Sequence, residues 1–263
     1  MAGHNTSSNK MPVLFIGHGS PMNIFMDNDF TQSLGRLGRE LPRPKSIMVI
    51  SAHWLAKATL VTAMKNPELI YDFFGFPPEL YQVKYPCPGA PEDAEKVTRV
   101  TKYMANCSLD WGLDHASWAV LKHLYPDADI PVFEMSLCEP MEPRYHYDLG
   151  RRLAPLRHEG ILIIGSGNIV HNLRQMEYDM EAEPCDWAVD IDEKIKSLLL
   201  EGNHGKLVNF DDLGRNMALA APTTEHFIPL LYTLGLQEQD DGITFTHEGF
   251  QHGCISMRCF RIG

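Results

Sequence analysis

No two of the six cysteines form a CxxC pair. Cys87, Cys107, Cys138, Cys185, Cys254 and Cys259 match no zinc-ribbon spacing. Scattered thiols in 263 residues argue against a disulfide scaffold and fit a reducing compartment, so a cytoplasmic location is expected. Positive charge is also scarce: 23 Lys and Arg stand against 34 Asp and Glu, a net charge of −11, and no basic block occurs. Gripping phosphate backbones is therefore excluded as the main task, and no nucleic-acid partner is expected. No stretch approaches the roughly 18 apolar residues of a membrane span. The polar opening MAGHNTSSNK lacks the apolar core of a signal peptide. No membrane partner is expected, and residues 1–10 read as a disordered tail. Repeats, low-complexity tracts and Gly/Ser linkers are absent, so residues 11–263 are expected to form one catalytic domain.

What is present is a set of short apolar runs that end in small residues. Pro12-Val13-Leu14-Phe15-Ile16 runs into Gly17, and Ile47-Met48-Val49-Ile50 into Ser51-Ala52. Val132 to Leu137 follows Pro131, and Ile161-Leu162-Ile163-Ile164 runs into Gly165-Ser166-Gly167. Such runs predict strands buried on both faces of a mainly parallel sheet. Between them, Val97, Val100, Thr101 and Met104 follow Pro91 at helical spacing. A second helix is expected over 142–158, with Pro155 ending or kinking it early. A third carries Trp187 to Leu199. A fourth is expected from Pro222, interrupted by Pro229, with His226 in its first turns. The alternation from Ile255 to Ile262 predicts a late strand, parallel or antiparallel to the rest, and the Pro-rich stretch 76–91 is the best loop candidate. Strand and helix alternate, which predicts a three-layer α/β/α fold around a mixed, mainly parallel sheet.

Twelve histidines carry the chemical signal. Three share a topological position: His18 directly follows the first strand, His53 the second, and His171 lies just beyond the fourth. In open α/β sheets ligands bind outside the carboxyl ends of the strands, so these imidazoles could converge on one metal ion. His226 is a plausible fourth member, with Glu225 beside it as a harder oxygen donor. His115, in Gly112-Leu113-Asp114-His115-Ala116-Ser117-Trp118, reads as a loop residue before a helix from Ser117, either packing there or catalytic. The remaining histidines read as solvated or as satisfied packing residues. Gly165-Ser166-Gly167 begins a dinucleotide fingerprint, but the third glycine position is Val170 and no matching acidic residue follows. The aromatic cluster Tyr71, Phe73, Phe74 and Phe76 reads as a loop packed on the sheet.

These blocks together resemble a known family. Phe15-Ile16-Gly17-His18-Gly19-Ser20-Pro21-Met22, Ser51-Ala52-His53-Trp54, Asp114-His115-Ala116-Ser117-Trp118, Gly165-Ser166-Gly167-Asn168-Ile169-Val170-His171-Asn172-Leu173 and Pro222-Thr223-Thr224-Glu225-His226 are similar to the LigB-type class III extradiol ring-cleavage dioxygenases, in particular the DOPA 4,5-dioxygenase-like branch. The resemblance runs from residue 12 to residue 235. It implies one divalent metal ion, Zn²⁺ or Fe²⁺, held by His18, His53 and His226, with His171 beside it or bound to it. Better-known members of the superfamily use a glutamate as third ligand, whereas this branch uses the histidine.

The activity so implied is cleavage of a catechol, a DOPA-like substrate, by O₂ to a muconic semialdehyde. Fe²⁺ with three protein ligands leaves positions for two catechol oxygens and O₂. A base must take a catechol proton and an acid must help break the O–O bond, tasks in the range of an imidazole. His171 is expected as that catalytic group, with His115 donating a hydrogen bond to substrate or oxygen. The alternative is a closed shell of four histidines around Zn²⁺. That would suit a zinc hydrolase or a non-enzymatic, Memo-like interaction protein.

Overall fold

A computed structural model describes residues 10–263. Along the chain run β1 (Val13–Gly17), α1 (Asp29–Glu40), β2 (Ser46–Ala56), β3 (Thr59–Thr62), α2 (Pro91–Val100), β4 (Ala105–Ser108) and α3 (His115–Leu124). Then come β5 (Val132–Cys138), α4 (Pro143–Leu153), β6 (Ile161–Gly167), α5 (Asp186–Leu200), α6 (His204–Val208), α7 (Arg215–Ala220) and α8 (Ile228–Gly235). The chain closes with β7 (Ile243–His247), β8 (Phe250–Gln251), β9 (Ile255–Ser256) and β10 (Cys259–Ile262).

Eight strands form one sheet in the order β4-β3-β5-β2-β6-β1-β10-β7. The central strands β5, β2, β6 and β1 are parallel, while β10 pairs antiparallel with β1 and β7 with β10. The sheet is therefore mixed and mostly parallel at its centre, as the apolar runs predict. Alternate side chains feed two cores. Val13, Phe15, Met48, Ile50, Ile161 and Ile163 pack with residues of α2, α4, α5, α7 and α8. Leu14, Ile16, Ile47, Val49, Leu162 and Ile164 pack with α1 and α3 on the other face. Period-2 alternation with both faces covered makes the three layers.

Several expected boundaries shift for local reasons. The fourth predicted helix starts at Ile228, not near Pro222. Pro229 then falls in the first turn, where its missing N–H costs no hydrogen bond. His226 consequently sits in the turn before α8 rather than inside the helix. The helix near His115 begins at His115 itself, because the Asp114 carboxylate accepts from the Ala116 N–H at 3.0 Å and caps it. α4 ends at Leu153 and continues as a 3₁₀ turn containing Pro155. The 76–91 loop is packed down, with Leu80, Val83, Tyr85 and Cys87 buried in the second core. His204, expected to be solvated, is half-buried between Tyr147 and Gln237. Of the expected tail, residues 1–9 lie outside the described residues. Lys10 departs from that expectation, since its ammonium pairs with Asp241 at 2.7 Å and Glu238 at 3.2 Å.

Candidate metal centre

The site lies at the carboxyl rim of the central strands, where each histidine arrives by a different local device. β1 ends at Gly17 and delivers His18 next in sequence. On β2, Ile50 lies opposite Met135 but Leu55 lies opposite Leu137, so residues 51–54 bulge out against Ser136 alone. Such a bulge re-aims side chains, and it carries His53. His226 is held by backbone: its carbonyl accepts from Asn168 N–H at 2.9 Å. A Cβ at Gly167 would come within 2.2 Å of that same oxygen. Gly165 likewise lets the Pro229 carbonyl approach. The two glycines of Gly165-Ser166-Gly167 thus serve close packing of the α8 entry onto β6, not a nucleotide.

One nitrogen atom from each of His18, His53 and His226 falls within a single group whose ligand atoms lie within 4.8 Å of one another. Hydrogen bonds determine which nitrogens face inward. The Ser166 hydroxyl donates to Ala116 O at 2.7 Å, so its oxygen accepts from His18 Nδ1–H at 3.1 Å. His53 Nδ1–H donates to Asp72 Oδ2 at 3.0 Å. His226 Nδ1 lies 3.3 Å from Glu225 Oε1, and its Nε2 is buried with no partner. Each ring therefore spends its proton on Nδ1 and turns a bare Nε2 inward. The Nε2 atoms of His18 and His53 lie 3.2 Å apart. Two lone pairs at that distance repel unless a cation lies between them, and a buried acceptor without a donor is costly. Three converging imidazole nitrogens with their outer nitrogens anchored are the donor set for a borderline divalent ion.

Burial drives the electrostatics. It pushes the His18 and His226 imidazolium forms down strongly, with further repulsion from neighbouring imidazoles, so both rings are neutral and able to ligate. His53 differs. Burial lowers it, but the hydrogen bond to Asp72 and the nearby carboxylates of Asp114, Asp72 and Glu225 outweigh burial and raise it.

His171 and His115 complete the five-histidine group without joining the three. The His171 ring stacks on that of His226, centroids 3.5 Å apart and planes 6° from parallel. Burial, aided by repulsion from His53, pushes its pKa down to about 4. One ligand atom each of His171, Glu225 and His226 also lie within 4.8 Å of one another, as do those of His53, Asp72 and His115, so these sets overlap the three-histidine group. His115 opens α3, its ring 4.2 Å from that of His53, and its Nδ1–H donates to Asp72 Oδ2 at 2.9 Å. Phe73 lies edge-on to it at 5.5 Å, within an aromatic group of Tyr71, Phe76, Tyr81 and Trp118. Phe74, expected in that group, is 92% exposed instead. Beneath His115, Glu134 accepts from Ser117 Oγ–H, Trp111 Nε1–H and the Asp114 N–H. Burial and the neighbouring Asp114 raise the Glu134 carboxyl well above its ordinary range. Sequence reasoning missed Asp72, Ser166 and Glu134.

With the geometry in view, known proteins place the chain in a class. Residues 11–258 match the family described as the catalytic LigB subunit of aromatic ring-opening dioxygenase. The chain belongs to this LigB family, and it is accordingly an enzyme, an oxidoreductase that opens aromatic rings. It is 44% identical to a 4,5-DOPA dioxygenase extradiol of Escherichia coli K12, over 98% of this chain and 96% of that one. A protein of the same description from Beta vulgaris is 33% identical over 97% and 98%. A crystal structure of an uncharacterized Escherichia coli K12 protein superposes with a TM-score of 0.85 at 39% identity, covering 97% of this chain and all of that one. It shares the three-layer fold. Among the described residues no helix is long and apolar enough to cross a membrane.

Proposed function

We propose that the protein is an extradiol dioxygenase that opens the ring of a DOPA-like catechol with O₂ to a muconic semialdehyde. One divalent ion on His18, His53 and His226 supports the reaction. The convergence of three bare Nε2 atoms carries this reading, and the descriptions of the relatives support the substrate class. When bound, Fe²⁺ supplies open positions and redox chemistry for catechol and O₂, whereas Zn²⁺ supplies no redox chemistry.

The protein's own groups then have separable tasks. His171, neutral because burial opposes its charge, offers a lone pair to take a catechol proton and later returns it. The His171 and His226 rings are stacked with centroids 3.5 Å apart and planes 6° from parallel, so their in-plane lone pairs run side by side rather than converging, and His171 is assigned the base role rather than a ligand's. The stacking thus favours a three-histidine site over the closed four-histidine shell, and the LigB membership, not the number of ligands, favours a dioxygenase over a zinc hydrolase or an interaction protein. His115 binds substrate, but with its proton on Nδ1 toward Asp72 its Nε2 accepts from a catechol hydroxyl. The resemblance implies a donor role for His115 instead, and the tautomer decides between the two. Phe73 packs edge-on against the His115 ring and adds apolar surface beside it.

Anaerobic reconstitution with Fe²⁺, followed by oxygen uptake on a panel of catechols, tests the proposal. Uptake with appearance of a semialdehyde chromophore on DOPA is expected. Full iron loading with no uptake on any catechol would reject it.

A further inference from the structure

We infer that Asp72 is a positioning residue that sets the tautomers of two site histidines at once and ties both to the aromatic loop. The inference rests on the metal reading above, but not on catechol cleavage. Asp72 Oδ2 accepts from His53 Nδ1–H at 3.0 Å and from His115 Nδ1–H at 2.9 Å. Asp72 Oδ1 accepts from the His115 backbone N–H at 3.0 Å. One carboxylate therefore meets three donors, on a ligand of the ion, on a substrate-binding ring and on the start of α3.

The carboxylate is held in place from both sides, independently of those histidines. Ile70 N–H donates to Leu113 O at 2.7 Å, and Trp118 Nε1–H to Ile70 O at 3.0 Å. Tyr71 Oη–H donates to Val83 O at 2.7 Å. On the far side Phe73 packs on Trp118, Phe76 and Tyr81. The loop is thus fastened to the scaffold, and Asp72 presents a preorganised acceptor. With Nδ1–H of both rings committed to it, both Nε2 lone pairs are aimed: His53 toward His18 and the ion, His115 toward substrate. Sharing one oxygen couples the rings. A displacement that lengthens one bond re-aims the acceptor of the other.

Asparagine tests this because it offers one carbonyl oxygen and one NH₂ to three N–H donors. At least one donor must then face another donor. Asp72→Asn should weaken Co²⁺ or Zn²⁺ affinity about 10–100-fold, the usual effect of losing an outer partner of a ligating histidine. The metal-free variant should still unfold cooperatively, its midpoint lowered by no more than the loss of about one buried hydrogen bond. Asp72→Glu, which keeps two acceptor oxygens, should recover most of that affinity. At saturating Fe²⁺, Asp72→Asn should lower kcat in the full-length chain, and its loss combined with that of His115→Ala should fall short of the product of the two, since part of it acts through the His115 ring. Unchanged metal affinity in a folded Asp72→Asn would overturn the inference, as would losses that multiply in full with His115→Ala. If Asp72→Asn does not fold, imidazole ¹⁵N NMR of the unsubstituted zinc-loaded protein decides. Nδ1–H on both His53 and His115 supports the assignment, and Nε2–H on either overturns it. Failure of catechol turnover alone, with these tautomers intact, would count against the proposed function and not against this role.

Discussion

Around Arg258 every buried charge has its counterpart. The guanidinium is 2% exposed and donates to Asp192, Glu193 and Glu248, while Asp192 also accepts from Ser256 Oγ–H at 2.6 Å. Around His226, a group of five imidazoles, with His18, His115 and His226 buried and His53 and His171 partly so, ends in bare nitrogens. His226 Nε2 has no partner, and the Nε2 atoms of His18 and His53 face each other. Both groups are polar and hidden, yet one is closed and the other is completed only by a cation. Buried polarity that satisfies itself joins elements, here α5 to the C-terminal strands. Buried polarity that leaves acceptors converging marks the place of chemistry.

Substitutions in the two clusters should have different consequences. The largest effect is expected at His171. His171→Ala keeps its three ligands and should retain metal and bind catechol, yet lose turnover by about 10²–10⁴-fold, the worth of a positioned proton-transfer group. Iron-loaded steady-state kinetics with turnover like that of the unsubstituted protein would remove His171 from the mechanism.

In the closed cluster the effect should fall on stability instead. Arg258→Ala strands Asp192 without its cation and should cost about 3–5 kcal/mol in denaturant unfolding. Metal content in the surviving folded fraction should not change. A loss of metal proportionally greater than the loss of fold would mean that the two clusters are not separate.

The two groups should also part company in pH. His171 is pushed down to about 4 when folded, against an ordinary value near 6.5. Its unfolded form therefore binds the proton first. The stability it contributes is complete above about pH 6.5 and is lost as pH falls toward 4, of the order of 2–3 kcal/mol. His18 and His226 shift in the same direction, whereas His53, raised, works oppositely. Asp241 marks the other kind of group. Burial works to raise it, but Arg157 and Lys10 outweigh burial and hold it at about 2. Its contribution of about 2 kcal/mol persists to about pH 4 and fades as pH falls toward 2. Metal-free protein should thus weaken in two acid steps, and bound zinc should suppress the first. Unfolding curves from pH 7 to pH 3 with no zinc-sensitive step would contradict this.

The smallest effect concerns the thiols. All six cysteines are free, and Cys107 is the exposed one. Thiol titration should find one fast group in the native state and six after denaturation. A mapped disulfide would overturn the expectation.

Much of this was legible in the chain because strand ends announce themselves. A β-branched run stopping at Gly17 or Gly165 locates the rim, and His18 and His171 lie beyond those strands, whereas His53, expected after the second strand, sits inside it, because β2 resumes pairing past a bulge and runs on to Ala56. The helix start at Ile228 was obscured because Pro222 and Pro229 both suit a first turn, and only the approach of the Pro229 carbonyl to Gly165 decides between them. Asp72 was hidden for a different reason. It lies among Tyr71, Phe73, Phe74 and Phe76, a segment whose composition signals packing. Its acceptor role depends on two imidazoles 19 and 43 positions away along the chain. Tautomers are equally illegible, since the role of Ser166 follows from a bond to Ala116 that no motif encodes. The stacking of His171 on His226, on which the proposed assignment of base and ligand rests, is likewise a fact of three dimensions.

Metal stoichiometry across four single variants tests the central claim most directly. His18→Ala, His53→Ala, His226→Ala and His171→Ala would each be loaded with Zn²⁺, dialysed and analysed for metal alongside circular dichroism. The geometry predicts about one ion per chain in the unsubstituted protein and in His171→Ala, and a large loss in the other three with the fold retained. Equal loss in all four would restore the closed four-histidine shell, and full occupancy in His53→Ala would contradict the site itself.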